Sequence, residues 1–79
     1  MSVYPSPATS FINVVAPIAA PEMVVNIYST FGAKLFTQYC YNQVANEVNT
    51  INLPRLAAGI YVVEAKTGKK RFSTSIIIK

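Results

Sequence analysis

Three glutamates, Glu22, Glu47 and Glu64, are the only acidic residues of this 79-residue sequence, which contains no histidine. Catalytic triads that pair serine or cysteine with histidine therefore cannot form, and most zinc sites would lack their ligands. Two of the glutamates could in principle act as the carboxylate pair of a glycosidase, but nothing in their spacing indicates that they converge. We therefore expect no catalytic, metal-binding or cofactor-binding site and no enzymatic activity.

A basic cluster near the C-terminus, formed by Lys66, Lys69, Lys70 and Arg71, is the densest charge in a chain of net charge +4. Such a cluster can bind nucleic acid or another anionic partner. Lysines also commonly cover hairpin tips and protect edge strands, and we favour this interpretation. We expect no nucleic-acid partner, because the aromatic residues alternate within β-rich runs and do not form a surface stacking array.

Four tyrosines, Tyr28, Tyr39, Tyr41 and Tyr61, are candidates for a platform that stacks against sugar rings. Tyrosines at strand positions are more often half-buried packing residues, and this is what we expect here. The single cysteine, Cys40, lies between two of these tyrosines and cannot form an internal disulfide. We interpret it as a small buried hydrophobic residue, not as a reactive thiol.

The elements that position these residues are strands. Short β-rich runs separated by turn residues recur about every ten residues, which is typical of an all-β sandwich or barrel. The predicted strands cover residues 3–5, 10–16, 22–29, 33–41, 46–53, 59–66 and 70–78. Turns at Gly32 and Gly68 predict β-hairpins, because glycine tolerates positive φ. We predict a compact antiparallel β-sandwich, immunoglobulin-like, of about seven short strands, in which 53–58 connects the two sheets without forming a helix.

Chain length and composition indicate one folded domain. Independent domains begin at roughly 50 residues, and the many aromatic and β-branched residues exclude a disordered chain. We expect residues 3–79 to form the domain and residues 1–2 to be an added start without a signal peptide. The longest apolar run, 14–20, is interrupted by Pro17 and is much shorter than the roughly 20 residues of a membrane-spanning helix, so we expect no transmembrane segment.

The C-terminal strand extends to the last residue and contains three consecutive isoleucines, Ile76 to Ile78. Such a segment is prone to aggregation if it is exposed. One interpretation is therefore a central, buried strand. The other is a strand presented to a receptor, through strand addition or capture of the terminal carboxylate. The residues by themselves leave both interpretations open.

Four segments occur in an order that matches a known pattern. They are a "YPNPA"-like start at 3–9 with 11–14, a hairpin at 25–32, an "L-x-x-G-I-Y-x-V" segment at 56–63 preceded by 51–53, and a closing "I-I-I-K" strand within 72–79. Together they resemble the C-terminal sorting domains of cargo proteins of the bacterial type IX (Por) secretion system. The resemblance covers essentially the whole chain after residue 2. Ser6 stands where the family usually has asparagine and Ala57 where proline is common, and Ser6 can still accept a local turn hydrogen bond.

The resemblance implies a secretion signal and not an independent activity. Such a domain directs an attached cargo across the outer membrane and is commonly removed by a sortase-like protease at the cell surface. The implied partners are the outer-membrane type IX translocon, this processing protease and an upstream cargo domain in the same chain. The implied location is the periplasm in transit, followed by the cell surface or the extracellular space. Any processing site would lie upstream of Ser2.

We expect the translocon to recognise the last strand and the segment that should lie beside it. The predicted residues are Gly59, Ile60, Tyr61, Phe72, Ser73, Thr74, Ser75, Ile76, Ile77, Ile78 and Lys79. For Gly59 and Tyr61, purely structural roles at the strand entry and in the core stay open. The exposed terminal strand also suggests a homodimer formed by strand exchange when the domain is isolated.

Two other functional classes stay open. The first is an immunoglobulin-like or carbohydrate-binding accessory module of a secreted enzyme, which predicts affinity for glycans. The second is a structural stalk or adhesion domain, which predicts tandem copies and indifference to truncation at the C-terminus.

Overall fold

The computed structural model describes residues 1–68 and 70–79, and these residues form seven β-strands. The strands are β1 (Ser2–Tyr4), β2 (Phe11–Val15), β3 (Ala20–Ser29), β4 (Lys34–Gln43), β5 (Val48–Asn52), β6 (Gly59–Thr67) and β7 (Lys70–Ile78). Each predicted strand is present, and its limits differ from the prediction by no more than two residues. Within the two described ranges, no helix occurs that is long and apolar enough to cross a membrane.

The strands pair into two antiparallel sheets with the orders β1-β2-β5 and β4-β3-β6-β7. The predicted β-sandwich is therefore confirmed, and the segment 53–58 crosses from one sheet to the other as expected. In the constant-type immunoglobulin sandwich the fourth strand pairs with the fifth, whereas here β4 pairs with β3. The radius of gyration, 11.7 Å, equals the roughly 11.6 Å expected of a compact domain of this length.

The core between the sheets is aliphatic. Alternation along each strand directs every second side chain inward; along β3, for example, Met23, Val25 and Ile27 are completely buried, and Val24 and Tyr28 lie on the outer face. The buried apolar residues are Ala8, Ile12, Val14, Ala16, Met23, Val25, Ile27, Ile51, Val63, Ala65, Ile76 and Ile78. Those that lie in strands come from β2 and β5 of one sheet and from β3, β6 and β7 of the other, so the core forms only when both sheets are assembled.

Both predicted hairpins are present. Gly32 has a φ of 88° in the β3–β4 turn, where the Ser29 hydroxyl accepts a hydrogen bond from the Ala33 amide at 3.2 Å. Gly68 has a φ of 33° and follows Thr67, which pairs with Lys70 at the start of β7. Glycine suits both positions because other residues rarely adopt positive φ. Lys69, predicted as part of the basic cluster, lies outside the described residues.

Substitution of two adjacent isoleucines tests the register of β7. Ile76 is 1% exposed and Ile77 is 49% exposed, because they lie on opposite faces of the strand. We expect Ile76→Ala to lower the free energy of unfolding by about 2–5 kcal/mol, since it leaves a cavity in the core. Ile77→Ala should lower it by about 1 kcal/mol or less. Urea denaturation measures both values, and equal losses would contradict this register.

Candidate recognition surface

The structure brings the predicted recognition residues together at one edge of the four-stranded sheet. β7 is the last strand in the order β4-β3-β6-β7, and its C-terminal end pairs with the beginning of β6. Gly59 lies opposite Ile78, Ile60 opposite Ile77, and Tyr61 opposite Ile76. The interpretation of β7 as a central strand is therefore wrong: it is an edge strand, although one of its faces is buried.

The predicted residues divide between the two faces of this edge. Ile76 and Ile78 are buried in the core, and Phe72 and Thr74 are half-buried on the same side. The exposed residues of the set are Gly59, Ile60, Ser73, Ser75, Ile77 and Lys79. A partner of the folded domain can therefore touch the second group directly, whereas the two buried isoleucines hold the strand in place.

Tyr61 has a structural contribution that is independent of any partner. Its ring packs against the core, and its hydroxyl donates a hydrogen bond to the Ala57 carbonyl at 2.6 Å. The departure from proline at position 57 does not affect this contact, because alanine and proline both supply a carbonyl oxygen. A Cβ at Gly59 would meet the Tyr61 ring at 3.9 Å, which is ordinary van der Waals contact. The space around Gly59 therefore does not by itself require glycine.

The end of β7 is held by the beginning of the chain through what we call the terminal clamp, the contact of residues 6–8 with 77–79. The Ala8 amide donates to the Ile77 carbonyl and the Lys79 amide to the Ala8 carbonyl, both at 2.8 Å. The Ile77 amide donates to the Ser6 hydroxyl at 3.2 Å. The local turn hydrogen bond expected of Ser6 is thus replaced by a contact 71 residues away in sequence.

A polar network that we did not predict from the sequence crosses the outer face of the four-stranded sheet. The Thr37 hydroxyl donates to the Asn26 side-chain oxygen at 2.7 Å, and the Asn26 amide group donates to Glu64 at 3.0 Å. Glu64 also accepts from the Tyr28 hydroxyl at 3.1 Å and lies 3.4 Å from Nε of Arg71. The network connects all four strands of the sheet. Its only signal in the sequence is a polar residue at outward positions of otherwise apolar strands.

The network shifts the ionisation of two of its members. Hydrogen bonds from Asn26 and Tyr28, with the nearby Arg71, lower the pKa of Glu64 although partial burial opposes this. The pKa of Tyr28 is raised, by desolvation first and by its hydrogen bond to Glu64 second. Both shifts favour an ionised Glu64 that accepts hydrogen bonds from neutral donors.

The tyrosines and the cysteine that the sequence singled out differ in their exposure. Tyr28 and Tyr61 are half-buried as expected, but the expectation is wrong for Tyr39 and Tyr41, which are 54% and 66% exposed. These two alternate with half-buried Cys40, so they take the outer face of edge strand β4, where their rings stack with centroids 6.5 Å apart. Burial raises the pKa of the Cys40 thiol, which agrees with a packing role.

The basic residues of the described hairpin, Lys66, Lys70 and Arg71, are exposed at the junction of β6 and β7. This position agrees with the expectation that they cover a hairpin tip and an edge strand. Among the described residues, no group of three histidine, cysteine or acidic side chains is close enough to hold a metal ion.

Fold and surface together define a small β-sandwich domain whose terminal strand lies at a sheet edge and is clamped by the start of the chain. A family model described as "Secretion system C-terminal sorting domain" matches residues 2–79. The chain therefore belongs to the family of type IX secretion C-terminal sorting domains, which are sorting signals and not catalysts. No curated protein and no solved structure matches it significantly. Membership implies export to the cell surface or the extracellular space.

Removal of the Ser6 hydroxyl tests the terminal clamp. We expect Ser6→Ala to accelerate hydrogen exchange of the Ile77 amide about fivefold, because a hydrogen bond of about 1 kcal/mol is lost. The Lys79 amide should stay protected, since its acceptor is the Ala8 carbonyl. Exchange followed by NMR measures both rates. Ser10→Ala removes a hydroxyl from the same segment and should change neither rate.

The depressed pKa of Glu64 predicts a pH dependence of stability. The ionised carboxylate stabilises the folded state at neutral pH, and this contribution is lost as the pH falls through the ordinary glutamate range and then through the lower folded pKa. When the pH is lowered from about 6 to about 3, the free energy of unfolding, measured by urea denaturation, should therefore fall more in wild type than in Glu64→Gln, whose side chain does not titrate. The control Glu22→Gln, an exposed site outside the network, should behave as wild type. A parallel loss in all three proteins would exclude the network as the cause.

Proposed function

We propose that this domain directs an attached cargo protein across the outer membrane through the type IX translocon. The observation that supports this proposal best is β7 itself, a terminal strand at an open sheet edge whose end is held in one conformation by the terminal clamp. A receptor-read signal requires a stable shape and a presented element. The buried aliphatic core supplies the first and β7 supplies the second.

The recognition surface in this proposal consists of β7 and the start of β6. Exposed Ile60 and Ile77 form an apolar pair on the outer face, and Lys79 extends beyond the last paired residue. Phe72, Ile76 and the other inward residues of β7 act indirectly, because they fix the strand against the core. Loss of an inward residue therefore weakens recognition through folding, whereas loss of an outward residue weakens it through contact.

The remaining steps of the pathway are also part of the proposal. The domain passes the periplasm as a folded unit at the end of its cargo, and a sortase-like protease removes it at the cell surface. The exposed terminal strand further supports a homodimer of the isolated domain, in which two copies exchange β7. Exchange is favoured by the position of β7 at a sheet edge, where β6 is its only strand partner among the described strands, and it requires the terminal clamp to open.

A carbohydrate-binding module is the second candidate function. It is favoured by the stacked pair Tyr39 and Tyr41, which is exposed on β4 beside an open depression of about 680 Å³. Thr37 and Lys34 also line this depression and offer hydrogen-bonding groups of the kind that bind sugars. This candidate places the functional surface on β4, at the opposite edge of the sheet from β7.

A reporter fusion tests the proposed function. The reporter, preceded by an N-terminal export signal, carries residues 3–79 at its C-terminus in a type IX-competent bacterium and in its translocon mutant. We expect the reporter at the surface or in the medium only when the translocon is intact, and its size shows whether the domain is removed. Deletion of 76–79 should abolish export while the reporter stays active.

Because this deletion also removes two core isoleucines, it needs a variant that keeps the fold. Ile77→Asp changes only an outward side chain and should reduce export, and Val48→Asp on the other sheet should not. Retention of the intact fusion in the periplasm of both strains would contradict the sorting function. In that case binding of the isolated domain to glycans becomes the decisive assay for the second candidate.

A further inference from the structure

The backbone of β7 alternates between two directions. Thr67 and Lys70 form the pair that closes the hairpin, and the register continues without a shift to the pair Gly59 and Ile78. Because hydrogen-bonded pairs alternate along antiparallel strands, the even-numbered residues of β7 direct their amide and carbonyl groups toward β6. Odd-numbered residues direct theirs away from the sheet. At Ile77 these outward groups are used by the terminal clamp. The outer edge of β7 is therefore closed at its C-terminal end.

Before the clamp, no described strand pairs with the outer edge of β7, although β1 lies close to β7. The outward amide and carbonyl groups of Ser73 and Ser75 have no hydrogen-bond partner in the part of the chain that the structure describes. Unpaired groups of this kind on an edge strand are a template for an additional strand. The serine side chains are small and exposed, so they leave room for the side chains of a neighbouring strand.

The other edge strands of the described sheets are less suited to this contact. Strand β1 has three residues and β5 has five, whereas β7 has nine. Strand β4 has ten residues, but its pairing with β3 contains a register shift, and Asn42 near its end has a φ of 54°. Bulges and short strands are common means of protecting sheet edges. β7 has neither, and its register against β6 is regular throughout.

The side chains along the open edge indicate the chemistry of a partner. At the hairpin end, the exposed cations Lys66, Lys70 and Arg71 outnumber the single carboxylate, Glu64, to which Arg71 is paired. At the other end, the outer face becomes apolar, with Ile60 57% exposed and its cross-strand neighbour also largely exposed. The edge is thus cationic at one end and apolar at the other.

We propose that the stretch Arg71–Ser75 is a strand-addition site for an extended segment of a partner protein, which carries an acidic residue near the β6–β7 turn and an apolar residue near the terminal clamp. The inference rests on the sorting function proposed above and specifies how the translocon contacts the signal. Main-chain hydrogen bonds to Ser73 and Ser75 supply affinity, and the charge and apolar ends set the direction of the added segment.

Proline substitution separates this contact from folding. Ser73→Pro and Ser75→Pro each remove an amide that faces away from β6, so the β6–β7 ladder stays intact, as it does for prolines on natural edge strands. In the reporter fusion, we expect each proline variant to reduce export about tenfold, as one or two lost hydrogen bonds would. Ser73→Ala and Ser75→Ala keep the outward amide and lose only a hydroxyl, so each should lose much less export than the corresponding proline variant. Thermal melts of the isolated domains verify that each variant is folded.

Charge reversal is a second test of the site, and it does not require that the strand tolerates proline. Lys70→Glu places a carboxylate where the added segment is proposed to be acidic, and it should reduce export. Arg55→Glu makes the same change of net charge at an exposed position of the connection between β5 and β6, and should have no effect. Equal effects of the two reversals would indicate a response to net charge and would overturn the proposed polarity of the site.

The outcomes distinguish this inference from the function on which it rests. Folded proline variants that export as wild type would overturn the strand-addition site, while export of the unmodified domain would still support the sorting signal. Equal losses of export in the proline and alanine variants would also overturn it, because the partner would then be contacting the serine hydroxyls and not the main-chain amides. A dimer of the wild-type domain that the proline variants lose without any loss of export would identify a second copy as the occupant. Failure of the unmodified domain contradicts the sorting function itself.

Discussion

The pairing of β7 with β6 is the constraint on which the rest of the domain depends. Side chains along a strand alternate between faces, so a shift of one residue would bury Ile77 and expose Ile76 and Ile78. The regular register from the β6–β7 turn to the pair Gly59 and Ile78 prevents this shift. Through the same register, the outward amides of β7 fall on odd-numbered residues, so the core and the accessible edge are determined together.

A domain of 79 residues has a small hydrophobic core, and two additional sets of contacts stabilise the fold. The polar network around Glu64 connects the four strands of one sheet on the solvent side and satisfies the buried side chain of Asn26. The terminal clamp joins the first turn of the chain to its last residues. The clamp hydrogen bond between Ile77 and Ser6 joins residues 71 apart in sequence, so it forms only when both ends of the domain are in place. The hydrogen bonds from Asn26 and Tyr28 to Glu64 form only when β3 and β6 are paired.

This dependence has a consequence for a sorting signal. The terminal residues of a domain are usually poorly ordered unless contacts with the rest of the domain hold them. Here Ile77 and Lys79 are bonded to residues 6–8, so the C-terminal end adopts its fixed shape only after the start of the domain has folded. A receptor that recognises this end in its fixed shape would therefore bind only a domain that has folded completely. The open stretch of β7 before the clamp remains available for contact.

Strands, hairpins and the sets of residues that share one face of a strand were predictable from the sequence, because they follow from local properties. Met23, Val25 and Ile27 recur at every second position, as residues on one face of a strand do, and glycine marks the turns. The family resemblance likewise depends on short motifs in order. The pairing order of the strands is not local, and it alone decided that β7 is an edge strand and that Tyr39 and Tyr41 are exposed.

The clamp at Ser6 and the network at Glu64 depend on the same assembly, since their partners are brought together only by the tertiary fold. The sequence thus determined which residues form strands and which residues of a strand share a face. Only the tertiary structure decided which strand edges remain open, because hydrogen bonding between strands is satisfied by neighbours that the local pattern does not specify.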